Sequence, residues 1–183
     1  LDYLISDIWD YLSYAIAGAV EYKAMSIFIA MICLLIVLLP GKNTIRERII
    51  TAILLIFLYL VFSANVMARP VTGGQHVNLN PLDPYQLLLQ GSRSMIPEIC
   101  ENLILFLPSG ICMGLLSTKQ EHGAALAALY LFIFSTAVEV SQALLYVGIL
   151  ATADIIHNTL GGVAGVFIGR WIVKLKRKLV ERC

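Results

Sequence analysis

Charge is what this chain has least of. Only 14% of its 183 residues are Asp, Glu, Lys or Arg, while 59% are hydrophobic. A soluble domain carries about 25% charged residues and about 45–50% apolar ones. The shortfall excludes a sizeable water-soluble domain and points to an integral membrane protein with room for about five spans. Cysteine is equally thin: four residues, with no CxxC and no Cys/His ligand spacing, so free thiols are expected rather than disulfides or a zinc site. A basic stretch ahead of an apolar core is missing from the opening residues, which therefore do not look like a signal peptide. The basic residues flank apolar runs rather than forming a patch, so nucleic-acid binding has no support.

What the chain does have is a succession of apolar runs. The fold expected from them is all-α, a polytopic membrane bundle. Spans are read at 24–39, 49–66, 97–116, 123–146 and 153–172, each near the ~20 residues that cross a bilayer, the first one short. Pro40-Gly41 stops the first run, and Pro97 suits the first turn of the third. Residues 1–22 read as an amphipathic helix lying along the membrane surface, with Asp2, Ser6, Asp10, Ser13 and Glu21 on one side and Leu4, Ile8, Leu12, Ile16 and Val20 on the other. The resulting organisation is an interfacial helix (1–22), two N-terminal spans (24–66), an external loop (67–96), a three-helix core (97–172) and a basic tail (173–183).

Orientation follows from Lys and Arg. Ten of the thirteen fall between spans one and two, between three and four, or from the last turn of span five onward; only Lys23, Arg69 and Arg93 lie at the other face. The positive-inside rule then puts the C-terminus in the cytoplasm and the N-terminus, the 67–96 loop and the 147–152 loop outside.

Polar residues inside the spans are the functional lead, because an ionisable group facing hydrocarbon costs about 2.5–3.5 kcal/mol and so faces a bundle interior or a wet cavity. Asn102 is in the third span, beside Glu98 and Glu101. Ser135, Glu139 and Gln142, spaced i, i+4, i+7, share one face of the fourth. Asp154, His157 and Asn158 open the fifth, Asn158 one turn below Asp154. The assigned topology puts all three sets at similar depth in the outer half of the bilayer. Glycines at 161, 165 and 169, with Gly162 beside them, allow close helix approach, and Pro108 should kink the third helix next to Gly110 and Gly114.

Each residue also has a plainer role. Gln142 or Asn158 alone reads as interhelical glue worth about 1 kcal/mol. Asp154 sits where it can cap a helix. His157 points about 100° away from Asn158, which argues against a Ser–His device with Ser135. Glu139 is hardest to explain away. No Lys or Arg lies on a span beside it, so it is either neutral or holds a cation or a polar ligand.

From Asn78-Leu79-Asn80-Pro81 to Gly165 the chain resembles the VanZ-like family of bacterial membrane proteins. The family's N-x-x-x-F-x-P-x-G is met by Asn102, Phe106, Pro108 and Gly110. Its S-x-x-x-E-x-x-Q is met by Ser135, Glu139 and Gln142, and its D-x-x-x-N-T-x-G-G by Asp154, Asn158, Thr159, Gly161 and Gly162. An Arg and an Asp that many members carry just before the last motif are missing from Gly148–Ala153. The first span lies outside the stretch that carries the likeness. The resemblance implies a plasma-membrane protein linked to resistance to teicoplanin, a lipid-tailed glycopeptide, and assigns no reaction.

Two functions are expected from these readings. In one, Asn102, Ser135, Glu139, Gln142, Asp154 and Asn158 bind a membrane lipid, a lipid-linked cell-wall precursor or the lipoglycopeptide in an outer-leaflet pocket, with Pro108, Gly161, Gly162 and Gly165 shaping the packing. In the other, Glu139 and Asp154 act as acid and base of an intramembrane enzyme. No cofactor is expected beyond a divalent cation on carboxyl and amide oxygens.

Overall fold

The computed structural model describes residues 9, 13, 15–39, 43–74, 76–119 and 122–181. Its helices are α1 (Ala15–Glu21), α2 (Lys23–Leu38), α3 (Ile45–Phe62), α4 (Asp83–Leu89), α5 (Met95–Leu116), α6 (Gly123–Leu144) and α7 (Thr152–Val180). Helix α3 starts on a capping box in which the Thr44 and Glu47 side chains each accept the other's backbone N–H. It ends by widening into a π-helical turn, Ser63–Met67, closed by an Ala68 N–H to Ser63 O bond of 2.9 Å.

Three helical stretches are long and apolar enough to cross a membrane: Ile45–Met67, Met95–Leu116 and Gly123–Leu144. The pair α1 and α2, bent by 100° at Tyr22, makes a fourth if it counts as one span. The expectation of five spans is thereby corrected to three or four. The fifth, α7, has the length but not the hydropathy, because Asp154, His157, Asn158 and four glycines dilute it. Most of those residues are buried against its neighbours, and a composition average ignores which face they occupy. Leu126, Leu129, Phe132 and Ile133 on α6 and Phe167 and Trp171 on α7 point outward, as lipid-facing residues do.

Helix α7 packs most extensively on α5 and then on α6. The α5–α7 seam is backbone against backbone. A Cβ added at Gly161, Gly165 or Gly169 would strike the carbonyl oxygen of Leu103, Leu107 or Ile111, and one at Gly110 or Gly114 would strike that of Gly162 or Val166. Gly162 faces the other way, where a Cβ would lie 2.7 Å from Leu131 Cδ1 of α6. Without side chains between them the helices gain dispersion contacts along the whole seam. Helix α5 continues through Pro108 as one element. Phe106, Leu131, Val166, Ala127 and Val61 close the apolar core beneath.

Most of residues 1–14 fall outside the described set, and so does most of the surface helix expected there. What is described, α1, is docked on the chain's own π turn: Ala15 is buried and its carbonyl accepts from Ser63 Oγ at 3.2 Å. The two loops expected on one face do meet. Residues His76–Asn78 (β1) and Ile149–Ala151 (β2) form a two-stranded parallel sheet, with Asn78 opposite Ala151. At the other end, Arg170 Nη1 donates to Ser117 O at 3.2 Å, and Arg46, Lys176 and Arg177 line a groove formed by the start of α3 and the ends of α5 and α7. Cys33, Cys100 and Cys112 are free thiols; Cys183 lies outside the described residues.

Candidate functional site

A cavity of about 740 Å³ occupies the end of the bundle opposite that basic groove. Its walls are the first turns of α5 and α7, the last turns of α6 and the π turn after α3; the β1–α4 segment and β2 close over it. The connection into β2 turns sharply because Tyr146 takes a left-handed conformation, φ 58°, rare for a bulky residue. Its carbonyl is held by both the N–H (2.6 Å) and the hydroxyl (2.9 Å) of Thr72.

Four of the sequence-predicted residues line this cavity. Asn102 Nδ2 donates to Asp154 Oδ1 at 2.7 Å, locking α5 to α7. Glu139 Oε2 accepts the N–H of Ala151 at 3.0 Å, so α6 holds the end of β2. Gln142 Nε2 donates to the backbone carbonyl of Asn65 at 3.1 Å, joining α6 to the π turn. The capping role open to Asp154 is not taken: α7 has no side-chain cap bond, and the carboxyl turns to Asn102 instead.

Ser135 and Asn158 are brought together, but elsewhere. Asn158 Nδ2 donates to Ser135 Oγ at 3.1 Å between α6 and α7, both residues are buried, and neither lines the cavity. His157 joins neither group. Its Nε2 pairs with the Tyr85 hydroxyl of α4 at 2.6 Å, with the rings edge to face, so α4 is fastened onto α7. Pro108, Gly161, Gly162 and Gly165 stay out of the large cavity; the three glycines are in the helix seams.

The sequence reading missed Asn65, Arg69 and Asp83. Arg69, read only as a loop charge at the outer face, lines the same cavity as Glu139. Its Nη2 is 3.5 Å from Asn65 Oδ1, and its Nη1 would be 3.4 Å from a Cβ on Gly148. Asn65 was discoverable by the rule that found Asn102, since it too is an amide in an apolar run. Arg69 and Asp83 carried no such signal, because loop charges are ordinary. Asp83 reaches the site through a loop brace in which its Oδ2 accepts from Asn78 Nδ2 at 2.8 Å.

The lining is strongly one-sided in its ionisable groups: the carboxyls of Asp83, Glu98, Glu101, Glu139 and Asp154 against the single guanidinium of Arg69. Even so, among the described residues no three His, Cys, Asp or Glu side chains are arranged to hold a metal ion. The arrangement suits a ligand that offers hydrogen-bond donors or positive charge to several separated acceptors. A smaller cavity of about 200 Å³ lies alongside, with mostly apolar walls that include Phe57, Leu60, Ile104, Leu105 and Pro108.

Fold and site together define a polytopic helical membrane protein with a polar cavity at one end of its bundle. A family model, VanZ/LLP1, matches residues 27–174. The chain belongs to the VanZ/LLP1 family, and the match takes in most of α2 and all of α3, which the motifs alone had left outside. No curated protein and no solved structure matches the chain.

Proposed function

We propose that this VanZ/LLP1-family protein is a membrane binding module. It takes a polar group of a lipid-linked cell-wall precursor, of a lipid or of a teicoplanin-type lipoglycopeptide into the cavity, and so changes susceptibility to such drugs. The observation that carries the reading is the joint lining of one 740 Å³ cavity by Asn102, Glu139, Gln142 and Asp154, contributed by three helices. All four are braced by bonds to other elements, which preorganises them. The Lys and Arg residues gathered at the opposite end, Arg46, Lys176 and Arg177 among them, support placing the cavity at the outer leaflet, where precursors and drug meet. The test is direct binding of lipid-linked precursor and of teicoplanin to purified protein in detergent. Saturable binding weakened by Glu139→Gln is expected, and no saturable binding of either ligand removes the proposal.

A second reading, an intramembrane acid/base enzyme, is favoured by one observation: Glu139 and Asp154 both open onto the same cavity. Two carboxyls in different hydrogen-bonding environments can divide the acid and base roles. Glu139→Gln separates the readings. An enzyme would keep its substrate but lose turnover, whereas a binding module would lose affinity with no reaction to abolish.

A further inference from the structure

The larger, carboxyl-rich cavity and the apolar one adjoin, since Asn65, Arg69, Glu101 and Asn102 line both. Whatever fills both is an amphiphile, and the walls state its head chemistry. A purely anionic head would face five acids, and a purely cationic one would meet the Arg69 guanidinium as a like charge. Guanidinium pairs preferentially with phosphate through parallel N–H donors, and carboxyls pair with ammonium. A head carrying both groups on adjacent atoms satisfies the lining as a whole. Arg69 stands at the junction of the cavities, where the head of such a molecule joins its hydrocarbon.

We propose that the two cavities together hold one aminophospholipid-like amphiphile, with its phosphate on Arg69, its primary ammonium among the carboxyls, and a hydrocarbon chain along Phe57, Leu60 and Leu105. This rests on the binding-module reading and names the class of ligand for it. The ammonium donates three hydrogen bonds that separate acceptors can share, which a quaternary ammonium cannot do. The head therefore discriminates by N–H donors as well as by charge.

The test is native mass spectrometry of the full chain in detergent, titrated with phosphatidylethanolamine, phosphatidylcholine and phosphatidylglycerol of identical chains. Phosphatidylethanolamine is expected to bind about tenfold more tightly than either of the others. Arg69→Gln should remove most of that affinity, and Arg69→Lys should retain part of it. Ile104→Trp, which fills the apolar cavity, should weaken the diacyl lipid while leaving glycerophosphoethanolamine unaffected. Equal binding of the three lipids by the wild-type chain overturns the proposal without relying on any variant. If precursor or teicoplanin binds saturably and phosphatidylethanolamine does not compete, this inference fails while the binding-module reading stands. If nothing binds saturably, both fail.

Discussion

Gly161→Ala is the smallest change that tests how the α5–α7 seam positions the site. The new Cβ would fall 2.7 Å from the carbonyl carbon and 2.8 Å from the Cα of Leu103, and closer still to the carbonyl oxygen. Those atoms are backbone and cannot rotate away. Carbon contacts are comfortable at about 3.5–4.0 Å, so the helices must separate by about 1 Å or slide past each other. Overpacking of this kind costs about 1–3 kcal/mol. The same displacement carries Asn102, the next residue, away from Asp154, and a 2.7 Å bond stretched by about 1 Å is no longer a hydrogen bond. An interhelical bond in a membrane protein adds about 0.6–1.7 kcal/mol. The total, about 2–5 kcal/mol, corresponds to a fall in Tm of roughly 4–20 °C for a chain of this size. Thermal unfolding of the purified protein in detergent measures it, with Ala164→Leu on the exposed face of the same helix as the unaffected control. A Gly161→Ala protein melting within about 1 °C of wild type would refute the backbone-contact account of the seam.

Three further outcomes are expected. Glu139→Gln keeps an oxygen for the Ala151 N–H, so Tm should change little while ligand affinity falls; a fall in Tm with affinity intact would mean that the acid only locks the bundle. Asn158→Ala leaves Ser135 without its interhelical partner and should lower stability by about 1 kcal/mol with ligand affinity unchanged, because neither residue lines the cavity; thermal unfolding and a binding titration on the same preparation check both halves. Tyr85→Phe removes the hydroxyl held by His157, so amides of Asp83–Leu89 should exchange faster in hydrogen–deuterium exchange while those of α5 and α6 do not.

The helices were readable from the sequence because lipid exposure imposes apolar runs. The spans read at 97–116 and 123–146 became Met95–Leu116 and Gly123–Leu144, and the run at 24–39 became Lys23–Leu38. Helix α7 was read as the apolar run at 153–172, although its polar residues and glycines keep its hydropathy low. Helical spacing placed Ser135, Glu139 and Gln142 on one face, but spacing cannot say which of them meets a cavity and which a neighbouring helix. That is why Ser135 and Asn158 were grouped with the site and proved to be a pair of their own. The 67–96 connection was read only as a loop. Its short α4 and three-residue β1 are held by tertiary partners, the His157 ring and β2, which no local pattern announces.

The π turn at Ser63–Met67 ties this architecture to the genetics of the chain. Such a turn is what remains when a regular helix accommodates one additional residue, and everything after it is rotated by about 100°. Asn65 lies within that turn, and Arg69 follows just after the helix has ended. Loss of a single codon here would return the turn to regular spacing and shift Asn65 and Arg69 by one position along the chain's path, so a one-residue length change would reset which side groups reach this chamber.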